Sequence, residues 1–190
     1  MRRVIVTVAA AVVVAAWMPP VQAATTSTDP VQKRIAVSSV ASVASVRALA
    51  PRASAKGRQG QTLTVTPTSG LSVTGQTVTV RGRGFSETVG IYVGLCVMPR
   101  PGAKPTPCGG GIDQDGSSRA SAWISSNPPP YGANLAIPYK RGGKFSVRIK
   151  VSPRIGSVDC RVVRCAVVAR ADHLRANDRS WDVAVPVSFR

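Results

Sequence analysis

The four cysteines of this chain carry its most recognisable chemistry: Cys96, Cys108, Cys160 and Cys165. Thiolates bind zinc, but these spacings fit a zinc site poorly, and His173 is the only imidazole that could join them. Outside the cytoplasm, four cysteines in a small domain are most simply two disulfides. Three pairings are possible, and the nearest-neighbour pairing would close two short loops.

Groups suited to catalysis are scarce in this sequence. The chain has one histidine and eight carboxylates, and no serine lies in a Gly-x-Ser-x-Gly elbow. Asp113 and Asp115 in the stretch GIDQDGSS are similar to part of a calcium loop, but the later glutamate ligand is missing, so a plain turn is favoured. The RGRG stretch at 81–84 leads to no helix, which argues against a phosphate-binding loop. We therefore predict a protein that is not an enzyme and holds no metal or enzymatic cofactor.

The first 23 residues have the order of a secretory signal peptide. Arg2 and Arg3 form a basic start, an apolar run extends from Val4 to Met18, and small residues precede a cleavage point after Ala23. The apolar run is shorter than the roughly 20 residues that span a bilayer. We expect secretion, with retention at the cell envelope left open, and no transmembrane segment in the mature form.

The next segment, residues 24–59, is rich in alanine, serine and valine with scattered lysines and arginines. Such a composition buries little apolar surface, so we predict a flexible linker or pro-segment there. One folded domain is expected to follow at residues 60–190, and we expect it to be a monomer.

The formal net charge of the chain is +17. A charge of this size draws a protein to polyanions such as DNA or the phosphates of a cell envelope, and the sign of the charge does not choose between them. The sequence contains no recognisable recognition helix and no aromatic platform on which bases could stack. We therefore expect polyanion binding without sequence preference. A basic composition that serves only solubility is the simpler alternative.

From residue 61 onward, short runs alternate apolar and polar residues between glycines and prolines. Such alternation is typical of strands with one buried face. In the last strand we predict that Val183, Val185, Val187 and Phe189 form the core face. About seven such strands without a helical stripe predict an all-β fold, a seven-stranded antiparallel sandwich of immunoglobulin type.

The strand that follows Cys165 is apolar on both faces. Alternate residues of a strand point the same way, so Ala166, Val168 and Arg170 share one face. One face of this strand should pack in the core. The other face either lines a cavity or lies buried under the insertion at 109–139.

The order of motifs resembles the neocarzinostatin family. The stretch LTVTPTSGLSVTGQTVTVRGRGF is followed by YVGLC, by GSVDCRVVRCAVVARAD and by VPVSF, with a gap across the insertion. The resemblance implies a seven-stranded sandwich with two local disulfides, Cys96–Cys108 and Cys160–Cys165. It also implies a secreted, non-enzymatic apoprotein that holds a labile enediyne chromophore non-covalently in a cleft, whose floor is the strand after the CxxxxC motif.

The chain departs from the family pattern in that cleft. The family's tryptophan after the first cysteine is Met98 here, its glutamine after the last cysteine is Ala166, and its floor glycine and serine are Val168 and Arg170. The insertion contributes Trp123 and two tyrosines instead. The fold follows from the resemblance, but the same ligand does not.

Two functions remain open at this stage. A carrier would hold a small apolar molecule, with a cation at the rim for an anionic or phenolic group. The predicted ligand-binding residues of this carrier are Leu95, Met98, Trp123, Ala166, Val168 and Arg170. An envelope-binding module would have the same sandwich with a filled cleft, and its arginines would bind polyanions.

Overall fold

The computed structural model describes residues 49–110 and 116–190 of the chain. The predicted signal peptide at 1–23 lies outside the described residues, as does the predicted turn at Asp113 and Asp115. Of the predicted linker at 24–59, only the part from Leu49 onward is described.

Strands account for almost all the regular structure in the described part of the chain. They are β1 (Ala53–Lys56), β2 (Thr62–Thr66), β3 (Gln76–Arg83), β4 (Ile91–Val97), β5 (Ser121–Ile124), β6 (Phe145–Val151), β7 (Arg154–Ile155), β8 (Val158–Asp159), β9 (Cys165–Ala171) and β10 (Val183–Val187). Two 3₁₀ turns, Pro130–Gly132 and His173–Arg175, are the helical elements of the described residues.

Two antiparallel sheets of four strands pack against each other. The first sheet has the order β1-β2-β3-β6, the second has the order β10-β9-β4-β5, and β7 and β8 form a separate ribbon. One core cluster contains side chains from both sheets, such as Val80 from β3, Ile149 from β6 and Val167 from β9. The predicted all-β antiparallel sandwich is therefore confirmed.

The alternation read from the sequence fixes which side chains enter this core. In β6 every second residue is buried, from Phe145 to Val151, and the residues between them are exposed. In β10 the predicted core residues Val183, Val185 and Val187 are buried, whereas Phe189 follows the strand and is partly buried.

Both disulfides join neighbouring cysteines, as the family resemblance implied. Cys96 at the end of β4 is bonded to Cys108, and Cys160 after β8 is bonded to Cys165 at the start of β9. In the chain-entropy model these loops stabilise the fold by about 3 and about 2 kcal/mol. The first disulfide holds the loop after β4 against that strand, and the second fixes the hairpin that leads into β9.

The predicted domain boundary at residue 60 is wrong, because the first sheet begins earlier. Residues Ala53–Lys56 pair antiparallel with β2, and Ala53 and Ala55 pack against the core. The backbone N–H of Thr68 also donates to the carbonyl of Pro51 at 2.9 Å. The strand was missed because its core side consists of two alanines, which give almost no alternation signal in the sequence.

This edge strand gives a test by truncation. A chain that begins at Gly57 should unfold with a free energy about 2–4 kcal/mol lower than a chain that begins at Leu49, because it loses the β1 ladder and the contacts of its alanines. Thermal unfolding followed by circular dichroism measures the difference. Equal melting temperatures for the two truncations would show that β1 adds nothing to the domain.

The connection before β10 contains a largely buried ion pair. Arg179 Nη1 donates to Asp182 Oδ2 at 2.9 Å, and the two side chains are 14% and 17% exposed. Asp182 Oδ1 and Arg179 Nε are buried without hydrogen-bond partners. Burial raises the pKa of Asp182 to about 6, and this outweighs the opposite effect of Arg179 and Arg170.

The raised pKa of Asp182 predicts a pH dependence of stability. Between pH 4 and 6 the folded state retains a proton that the unfolded state releases, so stability falls as pH rises through this window. Asp182→Asn should remove that contribution, which shows as a smaller change in melting temperature between pH 4.5 and 7. Asp159→Asn is the matched control, because ion pairing with Arg161 lowers the pKa of Asp159 and its titration lies below this window. An unchanged pH dependence in Asp182→Asn would contradict the prediction.

Candidate functional site

The outer face of the second sheet, which we call the apolar face, differs from the usual solvated side of a sandwich. Outward side chains of antiparallel sheets are normally polar. Here Cys96 from β4 and Ala166 and Val168 from β9 form an apolar cluster separate from the core. Met98, Cys108 and Ala184 pack against this cluster. The two faces of β9 are thus both withdrawn from water, as its sequence predicted.

The register of the sheet explains this cluster. Ala166 lies opposite Cys96, and Val168 lies opposite Gly94. Val168 is 1% exposed and Ala166 is fully buried. A side chain at Gly94 would begin 3.7 Å from the carbonyl oxygen of Gly109, so the loop held by the first disulfide passes close over this strand. The structure therefore brings together the predicted residues Met98, Ala166 and Val168, of which Ala166 and Val168 are buried and Met98 is half-buried.

Leu95 does not belong to this face, and its assignment to the ligand site is corrected. It is 2% exposed and lies in the main core, opposite Val167 in the register. Successive residues of a strand point to opposite faces, so Leu95 faces the core if Cys96 faces outward. The parity of the strand alone would have separated it from Met98.

The other two predicted residues, Trp123 and Arg170, lie on either side of Tyr92 at one end of the apolar face. Tyr92 pairs with Trp123 across one strand boundary and with Arg170 across the other. The Tyr92 and Trp123 ring centroids are 5.9 Å apart, and the Arg170 guanidinium carbon is 5.7 Å from the Tyr92 centroid. This distance is within the range of a cation–π contact.

A buried carboxylate fixes the Trp123 ring. The indole Nε1 of Trp123 donates to Asp172 Oδ2 at 2.9 Å, and the backbone N–H of Leu174 donates to Asp172 Oδ1 at 3.0 Å. Asp172 is 1% exposed. A side chain at Gly90 would begin 1.9 Å from Asp172 Oδ2, so only glycine fits there. The orientation of the indole is thus built into the fold.

His173 links two tyrosines above this ring. The hydroxyl of Tyr92 lies 2.5 Å from His173 Nδ1, and the hydroxyl of Tyr131 lies 2.6 Å from His173 Nε2. A neutral imidazole donates from one nitrogen and accepts at the other. The pKa of Tyr92 is raised to about 12, first by burial and then by the negative charge of Asp172. Tyr92 therefore stays protonated at neutral pH.

The turn at Pro130–Gly132 brings Tyr131 to this place. Gly132 lies against the Trp123 ring, and a side chain there would begin 2.2 Å from Trp123 Cζ3. Tyr131 remains 69% exposed. We refer to Tyr92, Trp123, Tyr131 and His173 as the aromatic wall. The third aromatic residue of the insertion, Tyr139, lies instead in the core and donates to the carbonyl of Val89 at 3.0 Å.

Sequence reasoning missed Tyr92 and His173 as members of the wall. Tyr92 had a signal, because it lies four residues before Cys96 and so shares its face. His173 had none, since its two partners are 81 and 42 residues away in the chain.

The chemistry of this region is suited to binding. It combines an apolar floor, an aromatic wall with hydroxyl and imidazole groups, and one cation at the rim. All four cysteines are in disulfides, and no cluster of metal-binding side chains occurs among residues 49–110 and 116–190. The same described residues include no helix that is long and apolar enough to cross a membrane.

Comparison with known proteins identifies the family. The profile of the neocarzinostatin family matches residues 63–189, which is more than half of the chain. Among solved structures, macromomycin is 25% identical and covers 68% of this chain and 99% of its own, with a TM-score of 0.45. No curated protein matches the sequence. The chain is therefore a member of the neocarzinostatin family.

Proposed function

We propose that this protein is a secreted, non-enzymatic apoprotein that carries a small, largely apolar molecule of enediyne-like kind on the apolar face of its second sheet. Membership of the neocarzinostatin family supports the carrier kind of function. The proposal goes further than family membership in three respects: the kind of ligand, its place on the sheet and the secretion of the protein.

The observation that carries the proposal is the contrast between the two outer faces of the sandwich. The outward residues of the first sheet are serine, threonine, lysine and arginine throughout. The second sheet instead presents Ala166, Val168 and the aromatic wall on the side that normally contacts water. An apolar outer face is stable only under a cover, which is either a part of this chain or a bound molecule.

The aromatic wall is the part of the face that a ligand would contact first. Tyr131 and His173 are exposed and Tyr92 is half-buried, whereas Trp123 is only 8% exposed and packs against Tyr92 and His173. A planar apolar molecule would stack on the exposed rings of Tyr131 and His173, and Arg170 at the rim would attract an anionic or phenolic group. Fixed rings lose little conformational freedom on binding, which favours affinity.

The floor contributes only if its cover moves. Val168 and Ala166 are buried, so a ligand that reaches them must displace a side chain that packs on them, such as the half-buried Met98. Cys108 packs on the same cluster but is bonded to Cys96, so it stays in place. Burial of 200 Å² of apolar ligand surface would supply about 5 kcal/mol, from which the cost of opening is subtracted.

A second function is favoured by the burial of the floor itself. If the chain's own loop permanently fills the cleft, the domain is an envelope-binding module that uses its positive charge. This alternative predicts the same fold and disulfides, so only the presence of a ligand separates it from the carrier.

Mass spectrometry of the protein from its native culture medium tests the carrier directly. We expect a small molecule that stays with the protein during purification and is removed by organic solvent, because the binding is non-covalent. The extracted protein should take the molecule back in a one-to-one complex. A protein that is secreted and folded but carries no molecule, in medium where the producing cells are fully grown, would support the envelope module.

Substitution of Val168 tests the place of the site. Val168→Trp should lower the free energy of unfolding by about 1–3 kcal/mol, because the residue is 1% exposed and the larger ring overfills the face. It should also reduce the fluorescence enhancement of the neutral naphthalene dye prodan, because the dye can then reach only the aromatic wall and not the floor. Thr79→Trp is the control, because it places the same ring on the outer face of the first sheet. Undiminished dye binding by Val168→Trp would place the apolar site elsewhere.

A further inference from the structure

The outer face of the first sheet, which we call the basic face, carries only hydroxyl and cationic side chains. Its cations are Lys56 on β1, Arg81 and Arg83 on β3, and Arg148 and Lys150 on β6, all of them exposed. Its hydroxyl groups belong to Ser54, Thr62, Thr64, Thr66, Thr77, Thr79 and Ser146. No carboxylate, aromatic or aliphatic side chain occurs among these outward positions of the described strands.

The register places the five cations on a diagonal across the sheet. Lys56 lies opposite Thr62, which lies opposite Arg83. Arg81 is two residues further along β3, and Arg148 and Lys150 continue the line on β6, opposite Thr79 and Thr77. With the usual spacings within and between strands, the diagonal is about 25 Å long.

No carboxylate of the described residues forms an ion pair with these cations. The ion pairs of the described residues involve Arg154 and Arg161 with Asp159, and Arg179 with Asp182. None of them includes a cation of the basic face. Neighbouring like charges on one face of a sheet repel each other and destabilise it. The repulsion between the cations of this face would therefore decrease when an external anion binds.

One end of the diagonal lies in a groove. It has a volume of about 730 Å³, and six cations line it: Arg52, Lys56, Arg81, Arg83, Lys140 and Lys144. A smaller adjoining surface depression of about 380 Å³ shares Lys56, Thr62, Arg83 and Lys144 with it. The carboxylate that follows Arg83 most closely in the sequence is Glu87. It accepts hydrogen bonds from the backbone N–H groups of Gly142 and Gly143.

We propose that the basic face docks a slender, base-free phosphodiester polymer, which lies along the diagonal from the groove at Lys56 toward Lys150. Arginine and lysine bind phosphate oxygens, and the threonine and serine hydroxyls between them donate further hydrogen bonds. The polymer is of the kind found in cell envelopes. The basic face and the apolar face lie on opposite sides of the sandwich, so this proposal does not depend on the carrier function.

The form of the face favours such a polymer over nucleic acid. Single-stranded nucleic acid binds to platforms on which bases stack, and the basic face has no aromatic side chain. A duplex presents its phosphates in two strands, whereas the cations of this face lie on one line. A groove that continues into a single line of cations fits a single chain of phosphates.

The test compares two variants of the full chain that lose the same charge. Arg81→Gln/Arg83→Gln/Arg148→Gln removes three cations of the basic face, and Arg100→Gln/Arg164→Gln/Arg175→Gln removes three exposed cations elsewhere. The probe is synthetic poly(glycerol phosphate), with affinity measured by calorimetry at low and moderate salt. We expect the first variant to lose about tenfold in affinity and the second to lose about twofold or less. Prodan binding should be unchanged in both.

Three outcomes would overturn the proposal. Equal losses in the two variants would show that net charge alone binds the polymer. Duplex DNA or a single-stranded oligonucleotide that binds more tightly than poly(glycerol phosphate), at equal phosphate concentration and salt, would make the face a nucleic-acid surface. An affinity that does not fall with added salt would exclude an ionic contact. If the triple variant does not fold, the pair Arg148→Gln and Arg175→Gln decides the same question, with a loss expected only in Arg148→Gln.

Discussion

The fold depends on one strand, β9, that is withdrawn from water on both faces. Its inward residues Val167 and Ala169 complete the core between the sheets, and its outward residues Ala166 and Val168 belong to a second cluster outside the core. A strand of this composition cannot lie at the surface of a sandwich without a cover. The first disulfide supplies the anchor of that cover, because it ties the loop after β4 to the strand beside β9. The apolar face and the proposed site both follow from this requirement.

Charge is distributed as unevenly as apolar surface. The described ion pairs lie in the ribbon and in the connection before β10, and none of them includes a cation of the basic face of the first sheet. The apolar face and the basic face lie on opposite sides of the sandwich. Ligands bound to the two faces would therefore be separated by the thickness of two sheets. This arrangement is why we propose a docking surface on the first sheet rather than charge that only favours solubility.

Much of the fold could be predicted from the sequence, since alternation and turn residues mark strands wherever one face is buried. Alternation does not predict the structure where one face of a strand has only small side chains, or where pairing between distant strands decides the position of a residue. β1 has only alanines on its core side, and Leu95 was grouped with Met98 although an odd spacing places them on opposite faces. The hydrogen bonds from Tyr92 and Tyr131 to His173 join segments that are distant in the chain, so no local sequence pattern predicts them. The disulfide pairing came from the family resemblance rather than from spacing.

The two halves of the apolar face impose different conditions on a ligand. The aromatic wall is preformed: Asp172 holds the indole of Trp123, and Gly90 and Gly132 are the residues that permit this close packing. The floor at Ala166 and Val168 is closed, so contact with it requires that the chain release its own cover. A molecule that stacks on the wall gains affinity before any cover moves, and its further burial is limited by the cost of opening. Selectivity for ring shape and for an anionic group near Arg170 should therefore arise at the wall, whereas the lifetime of the complex should depend on how far the floor opens.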